Sequence, residues 1–375
     1  MAPWISRCYG TAPRRGRAAV RVLFLGVLLA KIATAAETDN LTYRYVPLEE
    51  SAAKLDRMVN ATLEKVAARA NARLRARPDP RSATDAEVEL AFVDAYRDAV
   101  LRRFDDRLLP VFGACIERDD CPGWPRFERI VLIGRESIYD ESRYNRIARS
   151  SLAPTLRLCG TRIGTDKLTH LFSNGFFYWN AGRQEGSPMR TAADAQRFAL
   201  ADEDGLMGAR STGVSSPADA QATRAGYLLA SSYLEGNDPV FARSRTTGLL
   251  VRRRAVDVCR FVTAEWDEAL DPPAFTEGRR KRERIEAAIT ERVEANRAGA
   301  SLPEGEKRRL ERELTARRLP PRHGRLSFPD ELWVAVKWGT AYFTIPRESR
   351  RAIRALAFPR FRLRDRRPIT LMRAP

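Results

Sequence analysis

The stretch GTDKLTHLFSNGFFYWNAGR, residues 164–183, carries one of the two histidines of the chain and the consecutive aromatic residues Phe176, Phe177, Tyr178 and Trp179. Leu168, Leu171, Phe172, Gly175, Phe176 and Trp179 recur at steps of three and four, the spacing of one helix face. Thr165 stands where an N-cap belongs, and Asp166 in the first turn is favoured by the helix dipole. Away from the apolar face, Asp166, His170 and Asn174 follow at four-residue intervals, so their side chains line up. A helix of this kind, apolar on one face and polar on the other, predicts a core built mainly from helices.

Working outward, Leu55, Met58, Val59, Leu63, Val66 and Ala70 predict an amphipathic helix over about 47–76. The prolines of RPDPRSATD stop it, and a second helix opens at Thr84 with Glu87 three places on, a capping box. Its expected buried stripe is Leu90, Val93, Tyr96, Val100, Phe104 and Leu108, and the two helices read as an antiparallel hairpin. The runs RIVLIG (129–134) and TLRLCG (155–160) suggest a small pair of strands. Helices are expected near 217–234 and 248–269, and the prolines of Asp271-Pro272-Pro273 close a helical core domain over 45–275.

Beyond it the composition changes. Residues 278–318 carry 13 basic and 8 acidic side chains around a thin stripe of Ile285, Ile289 and Val293, and Ser301 with Glu304 forms another capping box. This reads as a charged helical hairpin over 276–320, followed by an aromatic segment and a basic tail over 321–375. The fold class expected is therefore mainly α: a helical globular domain with a small β element and a charged helical C-terminal extension.

At the other end, Arg14, Arg15, Arg17 and Arg21 precede the apolar run 22–30, and Ala33, Thr34 and Ala35 follow it. Basic, apolar, then small is the order of a secretory signal peptide over 1–35, which predicts a periplasmic or secreted protein. Nine apolar residues fall short of the ~20 that span a bilayer, although an uncleaved anchor stays open. Loss of Arg7, Arg14, Arg15, Arg17, Arg21 and Lys31 takes the formal charge from +18 to +12. Export argues against nucleic acid as a partner. Ten arginines against Glu348 and Asp365 give residues 346–375 a local charge of +8, which suits an anionic envelope component, lipid head groups or acidic polysaccharide, or an acidic protein surface. With Cys8 removed, Cys115, Cys121, Cys159 and Cys259 remain, an even number that fits an oxidising compartment. The short polar loop CIERDDC favours Cys115 with Cys121, leaving Cys159 for Cys259.

The candidate chemistry gathers on the opening stretch. Asp166 one turn before His170 has the spacing to orient an imidazole as a general base, and Asp166 and His170 are the catalytic candidates. A metal site needs a third ligand, and the nearest acidic cluster is Asp202, Glu203 and Asp204, with Asp219, Glu235 and Asp238 further on. No metal and no cofactor is expected on that spacing alone. His323 lies in a Pro- and Arg-rich turn, and no serine carries a nucleophile elbow. A histidine satisfied within a helix is the commoner meaning of such a pattern.

The pieces LCGTRIGTDKLTH, STGVSSPADAQATRAG and WDEALDPP, spread over about 155–273, together resemble an uncharacterised family of exported bacterial proteins with a Gly-Thr-Asp-Lys-x-x-His helix motif. The resemblance implies a helical domain and no known activity. Asp166, Lys167, His170 and Asp219 match the pattern, and Lys167, Asn174 and Asp219 join the candidate polar site. Leu171, Ser215 and Thr223 depart from it, standing where phenylalanine, an aromatic residue and asparagine are expected. Two functions follow from the sequence: a non-enzymatic envelope protein that contacts an anionic surface through its basic C-terminal region, or an envelope hydrolase acting on cell-wall or lipid material with His170 or a nearby acid as general base.

Overall fold

The computed structural model describes residues 37–100 apart from Tyr45, 125–132, 137–139 and 152–275 with short breaks at 185–186, 206–207, 210–212 and 271–272, plus isolated positions at 112, 115–116, 283, 287, 291 and 373–374. The expected signal peptide, and almost all of the charged hairpin and the aromatic and basic tail, lie outside the described residues. Within them the protein is mainly α with a small β element. No helix among the described residues is long and apolar enough to cross a membrane.

Helix α1 spans Ala52–Arg75 and α2 spans Asp85–Val100, joined through a 3-10 turn at Pro80–Ser82. All six apolar positions expected of α1 are buried. The capping box of α2 forms: Thr84 N–H donates to Glu87 Oε2 at 2.7 Å, and Glu87 N–H donates to Thr84 Oγ1 at 3.3 Å. The stripe of α2 needs one correction. Val93, Tyr96 and Val100 enter the core, but Leu90 is 44% exposed, and Val88, Ala91, Phe92 and Ala95 are buried beside them. The buried face thus runs through 88, 92 and 96, out of phase with position 90; Phe104 and Leu108 lie outside the described residues.

Strands β1 (Thr155–Leu158) and β2 (Thr161–Gly164) form a hairpin with Thr155 opposite Gly164. Its two-residue turn, Cys159 and Gly160, has φ of 55° and 76°, the paired positive values of a type I′ turn. The chain therefore folds back at once, and the strand pairs with TRIG. Among the described residues of the run RIVLIG, 129–132, a single antiparallel bridge joins Ile130 to Thr155, so TLRL takes its ladder from TRIG and not from the described part of RIVLIG.

Helix α3 follows in three continuous parts, Asp166–Thr169, a π-helical turn His170–Asn174, and Gly175–Gly182. Helix α4 spans Ala192–Glu203 and opens on a Thr191/Asp194 capping box. After β3 (Val214–Ser215), α5 spans Pro217–Leu234, the range the sequence suggests, and Ser216 serves as its N-cap. Strand β4 (Phe241–Ser244) pairs antiparallel with β5 (Leu250–Arg252), and β3 pairs with β6 (Ala274–Phe275).

No helix forms over 248–269; the segment is β5, extended chain and 3-10 turns at Val258–Arg260 and Ala264–Trp266. Helix α1 explains why. Asn71 bonds the backbone N–H and C=O of Leu250 at 2.8 and 2.9 Å, Asn60 does the same for Val256 at 2.8 and 2.8 Å, and Asp56 accepts Val258 N–H at 2.9 Å. These side chains satisfy an extended backbone that otherwise requires helical bonds.

The core is shared by α1, α2, α3 and α5. Tyr96 and Phe176 stack at 3.9 Å between ring centroids, and Phe92, Trp179, Tyr233 and Trp266 are buried around them. A second cluster, with Phe177, Tyr178, Met189 and Phe198, covers another side of α3 under α4. Helix α3 is thus buried all round. Cys159 and Cys259 form the expected disulfide, tying the β1–β2 turn to the 3-10 turn after β5. Cys115 is also disulfide-bonded, and Cys121 lies outside the described residues.

Candidate functional site

The site begins where α3 crosses α5. A Cβ on Gly175 would fall on the backbone of Gly226, and a Cβ on Gly226 would fall on the carbonyl groups of Leu171 and His170. Only glycine at both positions lets the two backbones touch. The contact lies at the π-helical turn, where Gly175 N–H reaches back to His170 O, five residues earlier. Such insertions recur at functional sites because they re-aim side chains within a helix. Here the face of α5 that carries Ser216, Asp219 and Thr223 is pressed against Lys167 and His170.

Lys167 is the centre of the arrangement. Its side chain has no solvent exposure, and its ammonium lies 2.9 Å from Asp166 Oδ2, 2.7 Å from Asp219 Oδ1 and 2.6 Å from Glu268 Oε1. Burial disfavours the ammonium, but the three carboxylates outweigh burial and hold its pKa well above the usual lysine value. Ser216 Oγ donates to the same Glu268 oxygen at 2.8 Å, and accepts Asp219 N–H at 3.3 Å as the cap of α5. Burial raises the pKa of Glu268 to about 8 and that of Asp219 to about 7, in each case with Lys167 opposing the rise.

His170 sits one turn further along, 13% exposed at its side chain. Its Nδ1 lies 3.0 Å from Thr223 Oγ1 and 3.0 Å from Asn174 Nδ2, so one ring nitrogen is held from two sides. Its Nε2 faces Asp219 Oδ2 at 3.5 Å. Burial, with Lys167 adding to it, lowers the pKa of the imidazole to about 3, so the ring is neutral. Glu203, the last residue of α4, brings a carboxylate to the same place: one ligand atom each from His170, Glu203 and Asp219 lies within 4.8 Å of the others. Burial first, then Asp219, Glu37 and Asp202, push Glu203 well above the usual carboxylate range.

The segment 37–44 closes a further side. Thr38 Oγ1 donates to Asp166 Oδ1 at 2.8 Å, and Tyr139 OH donates to Thr38 O at 3.1 Å. Asp39 accepts Leu41 N–H, Thr42 N–H and Ile138 N–H, each at 2.9 Å, and Arg44 pairs with Asp267 at 2.7 Å in a buried ion pair. Glu37 lies with Asp219 and Glu268 in a second group of ligand atoms within 4.8 Å of one another.

The structure brings together Asp166, Lys167, His170, Asn174 and Asp219, but redistributes their roles. Asp166 does not orient the imidazole: its carboxylate is taken up by Thr38, Lys167 N–H at 2.8 Å and the Lys167 ammonium. Thr223 and Asn174 orient the ring instead. Thr165 occupies the N-cap position without a side-chain cap bond, since Asp166 serves the first turn itself. The polar face of α3 points into protein, with Asp166 at 4% and Asn174 at 6% exposure. Glu235 and Asp238 are drawn elsewhere, to Arg183 at 2.6 Å and Arg254 at 3.0 Å. His323 lies outside the described residues. The sequence reading missed Glu268 and Glu37 altogether; Ser216 and Thr223 carry a signal in the 216, 219, 223, 226 spacing along α5.

Compared with protein-family models, with curated proteins and with solved structures, the chain finds no match.

Proposed function

We propose that the protein is an exported hydrolase of the cell envelope, acting on cell-wall or lipid material, with its reaction centred on His170, Asp219 and Glu203. The observation that carries this reading is the convergence of a neutral, partly exposed imidazole and two carboxylates from three separate helices. A core that needed only packing has no use for such a group, because burying carboxylates and an ammonium is costly unless every charge is compensated. The Lys167 cluster is the rigid support: it fixes Asp219 from one side while Thr223 and Asn174 fix the ring from the other. Anchored groups around a partly exposed imidazole are what hydrolysis requires to hold water against a substrate.

The basic residues of 346–375 are assigned the task of holding the enzyme on an anionic envelope surface. The test is release of product from peptidoglycan and from ester-containing lipid vesicles by the purified chain, alongside His170→Gln and Asp219→Asn. Turnover lost in both variants, while both remain folded at the assay temperature, supports the reading. Absence of turnover on either substrate class, with vesicle binding that depends on 346–375, favours a non-enzymatic envelope binder instead.

A further inference from the structure

Two groups of potential ligands meet at Asp219, and they are not equivalent. On one side stand Glu37, Asp219 and Glu268, where the Lys167 ammonium already lies within 2.7 Å of Asp219 and 2.6 Å of Glu268. That side has its cation. On the other side stand His170, Glu203 and Asp219. The Glu203 carboxylate is 5% exposed and receives neither a hydrogen bond nor an ion pair among the described residues. Gly208 leaves it room, since a Cβ there would lie 2.7 Å from Glu203 Oε2. A buried carboxylate without a partner is among the costlier features a fold can carry.

We infer that His170, Glu203 and Asp219 hold a divalent transition-metal ion, with zinc as the best-fitting case. The imidazole is prepared for it. Thr223 Oγ1 accepts from the ring when the proton sits on Nδ1, the tautomer that leaves the Nε2 lone pair directed at Asp219, with the Asn174 amide turned so that its oxygen rather than its nitrogen faces Nδ1. An outer acceptor of this kind fixes the ring and tautomer of a metal-bound histidine. Asp219 divides its oxygens, Oδ1 to Lys167 and Oδ2 toward the imidazole. In a tetrahedral zinc site the ligand atoms stand roughly 3.3 Å apart, so a 4.8 Å spread closes with small side-chain rotations. One imidazole with two carboxylates suits zinc and its first-row neighbours better than magnesium or calcium, which prefer oxygen alone. Three protein ligands leave a position for water, the open coordination of a hydrolytic site.

The inference deepens the proposed hydrolase by naming its electrophile, and rests on that reading only for the catalytic use of the metal. Its test needs no turnover. The full chain, stripped with chelator, is titrated calorimetrically with Zn²⁺ alone and separately with Mg²⁺. One equivalent of Zn²⁺ at micromolar Kd or tighter is expected, with Mg²⁺ at least 100-fold weaker, and His170→Gln and Glu203→Gln each weakening Zn²⁺ by 10-fold or more. Binding that is absent, or equal in both variants and the parent, overturns it. Should either variant fail to fold, Co²⁺ bound to the parent chain decides: visible bands of a four- or five-coordinate ion support the site, and the spectrum of an octahedral aqua ion overturns it. Zinc binding without hydrolysis of any envelope substrate keeps the metal site and removes the hydrolase; hydrolysis by stripped protein that binds no zinc does the reverse.

Discussion

Gly226 and Gly175 meet backbone to backbone where α5 crosses α3, with no space for a Cβ on either. The neighbours are carbonyl and main-chain atoms, which cannot swing away as the tip of a long side chain does. Gly226→Ala is therefore expected to push the helices apart and cost about 1–3 kcal/mol of stability as overpacking. Because Thr223 lies one turn before Gly226, the same change releases His170 Nδ1. Urea unfolding measures the first effect and the nitrogen chemical shifts of the imidazole report the second. A variant as stable as the parent, with unchanged shifts, contradicts the close crossing.

Lys167→Met removes the ammonium that three buried carboxylates share. Breaking one partner of a buried ion cluster typically costs about 3–5 kcal/mol, because the charges left behind remain out of water. Equilibrium denaturation at neutral pH is the measurement. Adding Glu268→Gln to Lys167→Met is expected to recover part of the loss, and a double variant no better than the single one argues against the shared network.

The Cys159–Cys259 disulfide closes a sequence separation of 100 residues. A loop of that length removes about 4–5 kcal/mol of chain entropy from the unfolded state in the loop-closure account. Cys259→Ser is expected to lower the thermal midpoint by several degrees, and reduction of the parent, which also opens the Cys115 disulfide, to lower it at least as far. Equal midpoints for oxidised and reduced protein count against it.

At the start of α2, Thr84 and Arg77 hold the exposed Glu87 carboxylate well below the usual range, at about 2, chiefly through the backbone N–H of Thr84. A depressed carboxylate pKa stabilises the fold above its unfolded value, near 4.3, and that contribution fades as pH falls from there toward 2. Glu87→Gln is predicted to flatten the stability profile between about pH 4.5 and pH 2 while leaving its shape above pH 5 unchanged. Parallel profiles for parent and variant across that window refute the cap.

Much of this was legible in the primary structure because local physics is written locally. The apolar spacing of 168–179, the stripe of α1, the Thr84–Glu87 box and the start of α5 each depend on residues within a few turns. What was not legible depends on distant partners. The 248–269 segment reads as helix until the asparagines of α1 take its backbone bonds. The polar row of α3 reads as a solvent face until α4 and α5 cover it. Lys167 shows the difficulty most plainly: a lysine is ordinarily exposed, and only Asp219 and Glu268 explain its burial.

Thr38 reaches Asp166 across 128 residues of chain, and Arg44 reaches Asp267 across 223. A ribosome therefore delivers the first wall of the site long before its counterparts exist, and contacts of such long range form late and slowly. Until the segment near residue 268 has been made, residues 37–44 have nowhere to dock and the Lys167 cluster has no Glu268. The site thus reports that the entire domain has arrived, and a prematurely terminated or nicked product is left without its closing wall.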